Sequence, residues 1–224
     1  MKKKAILGLL LSFLIIMSVN GQFLDNYGLN FGTGYSNQYW QYKDERFANQ
    51  TEWKEYMISF SGRFFAEKYL SRYISVRPSI GYIQKGFMDD VTLTFREDEE
   101  ISVEDKRVVL HNLSFDFTTK IIPFNGNINP YFLLGLRADY LLDYKSIIIN
   151  FQGHDHELNS GLYDDFDKFV YSGIIGAGIS FKELLFLGFE YNPAITKNFE
   201  SDGLAIHNRY FNISLGLNIN QLMK

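Results

Sequence analysis

The chain has 224 residues, a formal net charge of −4 and no cysteine. The lack of cysteine excludes a lipoprotein signal, a disulfide framework, thiolate metal sites and a cysteine nucleophile. The acidic balance leaves nothing basic enough to bind nucleic acid. With 18 glycines, only 4 prolines and 17% aromatic residues, the composition favours β-structure over a helical bundle or a disordered chain.

The first segment has the pattern of a secretory signal peptide. Lysines at positions 2–4 precede an apolar run, Ala5 to Met17, that is too short for a spanning helix of about 20 residues. We predict cleavage after Gly21, so that residues 1–21 form the signal and residues 22–224 form one domain with a net charge of −7. An uncleaved membrane anchor is the alternative. No later run is apolar and long enough for a helical membrane span.

From Tyr27 to Tyr39 the residues alternate in size and polarity, as expected for an extended strand. One face is mostly aromatic, and the other carries Gly28, Gly32 and Gly34 among small polar residues. A membrane barrel turns its large residues to lipid and keeps small polar groups inside. This segment therefore predicts a transmembrane barrel strand. A soluble periplasmic barrel with its large residues inside is the alternative.

Seven later segments repeat this alternation and complete a set of eight predicted strands. One of them contains Pro78, which removes a donor from the strand ladder, and a β-bulge there would resolve the conflict. The eight segments run approximately over residues 27–39, 53–66, 72–87, 107–122, 129–143, 167–181, 185–192 and 206–220.

The connections between these segments alternate between short and long. Short periplasmic turns and long outer loops are typical of outer-membrane barrels, and an even strand number places both termini on the periplasmic side. The sequence thus predicts an all-β, eight-stranded, antiparallel up-and-down transmembrane barrel with three inner turns and four external loops. Aromatic residues near the strand ends suggest interfacial girdles. They are Tyr39, Trp40, Tyr42, Trp53 and Tyr56 at the outer rim, and Phe64, Phe65, Tyr69, Tyr73, Phe124 and Tyr131 at the inner rim.

Charged residues on the predicted inner faces are the main candidate site. An eight-stranded barrel is filled largely by side chains, so it cannot be a wide porin. Because an isolated buried charge is very costly, these groups should pair or be hydrated. We therefore predict an interior ion-pair network that plugs the barrel; the alternative places some of the groups at the wet ends of the lumen. The six residues are Arg63, Arg77, Asp116, Arg137, Asp139 and Glu190.

Other chemistry has weaker support in the sequence. His111 and His207 fall near the outer rim, where a lipid-modifying enzyme would need them, but no G-x-S-x-G nucleophile motif occurs. His154 and His156 lie in an acidic loop that is more typical of a solvated segment than of a zinc site. The acidic loop 88–106 could attract cations or a basic partner, although a solvated loop is the simpler interpretation. We expect no enzyme activity, no metal site and no cofactor.

Several stretches together resemble the Bacteroidetes outer-membrane β-barrel family, often described as PorT-like. The likeness covers almost the entire chain after the predicted signal. The resemblance implies an outer-membrane barrel of about eight strands without an assigned activity, and it supplies no catalytic residues. The stretches are Tyr27-Gly-Leu-Asn-Phe-Gly, Ser79 to Phe87, Asn129 to Arg137, Ser172 to Ser180, Phe189-Glu-Tyr-Asn192 and Phe211 to Asn218.

The sequence therefore predicts an integral outer-membrane protein with a structural or binding role through its external loops. An accessory role in protein secretion or envelope assembly is the main alternative, and a lipid-modifying enzyme is another. The expected partners are outer-membrane lipid, the barrel-assembly machinery during insertion, and an unidentified protein or small molecule at the external loops.

Overall fold

The structure is a computed structural model that describes residues 24–43, 50–89, 101–124, 126–151, 154–158 and 160–222. The predicted signal peptide, residues 1–21, lies outside these ranges. The described residues form thirteen strands and two short helices. Neither helix has the length and apolar character needed to cross a membrane.

Eight long strands form a closed antiparallel barrel. Each strand pairs with the next one along the chain, and the last pairs with the first over Gly28–Tyr42 and Leu204–Asn218. This arrangement confirms the predicted fold class. The barrel strands are β1 (Asn26–Tyr42), β3 (Met57–Tyr69), β4 (Ile74–Met88), β6 (Arg107–Ile121), β7 (Ile128–Lys145), β10 (Phe169–Phe181), β11 (Leu185–Pro193) and β13 (Leu204–Asn218).

The remaining elements are short, and most of them lie in the long connections. Three of these strands form a small separate sheet outside the barrel wall, in the order β5-β8-β9. The short elements are β2 (Thr51–Trp53), β5 (Ile101–Asp105), β8 (Ile147–Phe151), β9 (His154–Leu158), α1 (Ser160–Asp164), β12 (Phe199–Glu200) and α2 (Ile219–Leu222).

The two ends of the barrel differ in the length of their connections, as predicted. At one end the turns cover residues 70–73, 122–127 and 182–184. In the tightest of them, Lys182 and Glu183 have φ values of 49° and 55°. Two consecutive positive φ angles are typical of the type I′ turn, whose twist matches that of the paired strands. The long connections lie at the other end, which is the external side in such barrels.

The faces of the strands follow the predicted polarity. Large apolar side chains point away from the barrel, and Phe31, Phe117 and Leu136 are each at least 60% exposed. Their inward neighbours, such as Asn30 and Asp116, are buried. Glycine residues make room inside: a Cβ at Gly28 would lie 2.8 Å from the ring of Phe65, and one at Gly34 would lie 2.8 Å from the ring of Tyr210.

The structure does not place a bulge at Pro78. Strand β4 pairs with β6 without a register shift, and Pro78 lies opposite Phe117. On the other side, the described β3–β4 ladder runs from Phe65–Ser79 to Lys68–Val76 with no pairs between them and no change in register. An interrupted ladder therefore accommodates the missing proline donor. A register shift occurs instead between β6 and β7, next to His111.

Three of the aromatic residues assigned to the girdles are buried in the lumen instead, and two more, Tyr42 and Tyr69, are partly buried against the same clusters. Trp40, Phe65 and Tyr131 are 7%, 1% and 3% exposed, and each packs in a buried cluster. These rings do lie near strand ends, but apolar clusters fill part of the lumen at both ends. Large rings there do not have to face lipid.

Candidate functional site in the barrel lumen

Four oppositely charged side chains meet at the centre of the lumen. The Arg63 guanidinium donates to Asp116 Oδ2 at 2.7 Å and to Glu190 Oε1 at 2.9 Å. Arg137 donates to both oxygens of Asp116, at 2.6 and 2.8 Å, and to Glu190 Oε2 at 3.4 Å. All four side chains are buried, so the two positive and two negative charges neutralise one another out of contact with water.

The strand order explains how these residues meet. Asp116 and Arg137 are directly opposite each other on the neighbouring strands β6 and β7. Arg63 on β3 and Glu190 on β11 come from strands that are not neighbours, because β1 and β13 lie between them. Their ion pair therefore crosses the lumen. Ser79 and Asn192 add hydrogen bonds to Asp116 and Arg137, at 3.0 and 2.5 Å.

The other two predicted residues lie inside the barrel but outside this central cluster. The Asp139 carboxylate accepts from Lys85 Nζ at 2.5 Å and also from the hydroxyl of Ser114. Arg77 makes no ion pair within 4.0 Å among the described residues, and its guanidinium lies 3.8 Å from the ring centre of Phe65. The structure thus brings four of the six predicted residues together. That the cluster acts as a plug stays a prediction.

Three buried charged residues on the barrel strands are absent from the set predicted from the sequence. Lys85 pairs with Asp139, and Lys120 Nζ lies 3.0 Å from Glu67 Oε1 on the periplasmic side of the central cluster. Ser75 donates a further hydrogen bond to Glu67 at 2.5 Å. The strand period alone could have found all three residues, because each has the same parity as the predicted lumen residues on its own strand.

An apolar cluster fills the lumen toward the inner end. Phe65, Tyr131, Leu133 and Phe186 are buried there and pack together. Between this cluster and the central charges lies a cavity of about 10 Å³, lined by Arg63, Asp116 and Glu190 among others. Such a volume is at the lower limit for a single water molecule.

A second apolar cluster closes the outer mouth. Tyr163 in α1 and Phe166 after it are almost completely buried against Phe87, Leu110 and other residues of the barrel wall. The long connection between β7 and β10 thus folds back over the lumen. Beside the cluster, Lys54 Nζ lies 4.5 Å from the Trp40 ring centre and binds Glu52 and Asp89 at 2.6 and 3.0 Å.

The small outer sheet is tied to the barrel by Asp105. Its carboxylate accepts from Arg107 at 2.9 and 3.0 Å and from Lys145 Nζ at 2.9 Å. The hydrogen bonds from Arg107, with a further contribution from Lys145, hold the pKa of Asp105 well below its usual range, although partial burial acts in the opposite direction. Most of the acidic loop 88–106, from position 90 to position 100, lies outside the described residues.

The histidines do not assemble a recognisable reaction centre. His111 lies on the outer face, where its Nδ1 is hydrogen-bonded to the Tyr82 hydroxyl, and the His207 ring stacks on Tyr39 at 4.6 Å. His154 and His156 are exposed on β9. In the described part of the chain, no group of three or more His, Cys, Asp or Glu side chains is placed to hold a metal ion.

A closed barrel with an apolar outer belt and a polar, charge-paired lumen defines an integral outer-membrane barrel, since only closed barrels and helices satisfy the backbone in lipid. Over residues 20–200 the sequence matches the outer membrane protein beta-barrel domain family. The chain belongs to this family and is located in the outer membrane. No curated protein sequence matches it.

Solved structures of other outer-membrane barrels are similar in fold. The Ail protein of Yersinia pestis is 12% identical, with 86% of this chain and 97% of that chain covered and a TM-score of 0.39. OprG from Pseudomonas aeruginosa is 9% identical, with 87% of this chain and 96% of that chain covered and a TM-score of 0.43. The protease OmpT from Escherichia coli is 13% identical, with 87% of this chain and 96% of that chain covered and a TM-score of 0.40. These likenesses assign no activity to this chain.

Proposed function

We propose that this protein is a closed outer-membrane barrel that presents its external loops as a binding surface and does not act as a pore. The filled lumen is the observation that carries the proposal. Three layers lie across it: the outer apolar cluster, the central charges and the inner apolar cluster. A barrel without a passage can bind partners only at its surfaces. Of its two ends, the external one offers more surface, because the long connections lie there.

Two external connections contain ordered elements among the described residues, and these can support a binding surface. The sheet of β5, β8 and β9 is joined to the barrel through Asp105, and α1 is anchored by the buried ring of Tyr163. Residues on β9 remain exposed above this base. Binding residues in proteins are often carried on loops that a rigid scaffold positions.

The alternative of an accessory role in secretion or envelope assembly rests on the PorT-like resemblance of the sequence. It predicts a partner on the periplasmic side instead of the outer side. A lipid-modifying enzyme is a third possibility, for which the Tyr82–His111 hydrogen bond on the outer face supplies a starting point but no nucleophile.

Site-specific photo-crosslinking in whole cells separates these roles. A photoreactive amino acid is placed at His154, which is exposed on β9, or at Leu70, which is 66% exposed in an inner turn. The proposal predicts discrete adducts from position 154. Adducts from position 70 alone would favour the accessory role. Position 31 on the lipid face serves as the matched background control.

A further inference from the structure

A groove of about 560 Å³ lies on the outside of the barrel, at its outer rim. Its lining comes from four strands that are consecutive in the sheet, in the order β2, β1, β13 and β11. Tyr39, Trp53, Tyr191 and Pro193 are among the apolar side chains that line it, and Arg209 supplies a positive charge. The groove is separate from the lumen, because these residues lie on the outward faces of their strands.

The position of Arg209 is unusual for a charged residue. It has the same parity on β13 as the exposed Ile213 and Leu215, so it points toward the membrane side. Its guanidinium lies 5.0 Å from the ring centre of Trp53 and 5.9 Å from that of Tyr191. No carboxylate of the described residues lies within 4.0 Å of it. The aromatic rings hold the cation in place without neutralising its charge.

The surroundings of Arg209 define the chemistry of a ligand. Toward the middle of the membrane, the same outward face of β11 and β13 carries Phe189 and Ile213, which are 47% and 52% exposed. Thr51, which is exposed, lines the groove on the side toward the external connections. A ligand that fills the groove therefore needs an anionic group at the level of Arg209 and an apolar chain below it.

We infer that this groove binds the phosphate-bearing head group of a lipid in the outer leaflet. The phosphate pairs with Arg209, the aromatic rings flank the head group, and an acyl chain lies against Phe189 and Ile213. A guanidinium matches phosphate oxygens in geometry and charge. Tyrosine and tryptophan side chains favour the level of lipid head groups.

Trp53 provides the signal for a direct test. The chain has two tryptophans, so Trp40→Phe leaves Trp53 as the only one. This protein, in a non-ionic detergent, is titrated with dihexanoyl phosphatidylglycerol while its fluorescence is recorded. The inference predicts a saturable change, with a half-saturation concentration about fivefold higher for Arg209→Gln. The half-saturation concentration for Arg209→Lys should lie between those for the parent and for Arg209→Gln. Lys168→Gln, which removes an exposed charge just before β10, should match the parent.

Two outcomes would overturn the inference. One is an equal response of the parent and Arg209→Gln. The other is an equally strong response to inorganic phosphate, because the site would then recognise a free anion and not a lipid. Native mass spectrometry of the parent protein, Arg209→Gln and Lys168→Gln, all with Trp40 retained, gives a second readout. Only Arg209→Gln should lose phosphatidylglycerol adducts.

Discussion

The guanidinium of Arg137 donates two hydrogen bonds to the carboxylate of Asp116, from Nε to Oδ1 at 2.6 Å and from Nη2 to Oδ2 at 2.8 Å. This bidentate ion pair joins the neighbouring strands β6 and β7 inside the lumen. Through Arg63 and Glu190 it extends to β3 and β11. The four charges sum to zero, so removal of any single one leaves an unbalanced charge in a buried site.

Asp116→Asn should therefore destabilise the barrel strongly. It keeps the size of the side chain but leaves Arg63 and Arg137 with Glu190 as their remaining acidic partner. Breaking a buried ion pair in this way costs about 3–5 kcal/mol. Urea unfolding in lipid vesicles measures the change. Asp165→Asn, which alters an exposed residue, is the control and should match the parent.

Replacing both members of the pair tests whether their coupling is the cause. In Asp116→Leu/Arg137→Leu the remaining Arg63 and Glu190 still balance each other at 2.9 Å. The double variant should be less destabilised than the sum of the two single variants, as for a strongly coupled pair. Additive losses would mean that the two residues contribute independently.

Phe31→Arg tests the inside–outside assignment. Phe31 is 62% exposed in the middle of β1, on the lipid-facing side. Arginine at the mid-membrane level of a barrel costs about 2–4 kcal/mol. Folding into vesicles, followed by heat-modifiable migration on a gel, measures the effect. Phe31→Leu should fold like the parent, whereas equal folding of the arginine variant would contradict the assignment.

Gly86 is a position where only glycine fits. Its φ is 146°, and a Cβ there would overlap the carbonyl oxygen of Val108 on β6. Gly86→Ala should cost about 1–3 kcal/mol from the backbone conformation, and the overlap adds to this. In Gly62→Ala the new Cβ would lie 3.5 Å from the Phe31 ring, an ordinary contact. That matched control should be at least as stable as the parent in the same urea measurement.

The Asp105 contact should make the outer sheet sensitive to acid. Its pKa is depressed in the folded protein, so its contribution is fully present above the unfolded value of about 4 and is lost as the pH falls from there toward the folded pKa. Hydrogen exchange of the β5 and β8 amides should differ between the parent and Asp105→Asn by on the order of 1 kcal/mol at pH 6. The difference should shrink at pH 3. A pH-independent difference would contradict this role.

The barrel wall could be predicted from the sequence because lipid favours large apolar side chains on the outward faces of the strands. Phe31, Phe117 and Leu136 follow that rule without exception, and the central lumen shows the opposite polarity. The short and long connections were predicted correctly for the same reason, since they interrupt the alternation.

The ends of the lumen could not be predicted from polarity, which stops indicating the direction of a side chain there; only the strand period still indicates it. Lys85 lies between the inward-facing Ile83 and Phe87, so the inner face of β4 has no consistent polarity in this region. Phe65 and Tyr131 looked like girdle residues for the same reason. The Arg63–Glu190 pair forms only when the barrel closes, and the alternation within single strands does not predict which strands meet across the lumen.

The most direct test of a closed lumen is the electrical conductance of the purified, folded protein in planar lipid bilayers. Folding is checked beforehand by heat-modifiable migration. We predict no stepwise current above the baseline of the protein-free membrane, because three layers of buried side chains lie across the lumen. Reproducible single-channel steps from the folded parent protein would contradict the account.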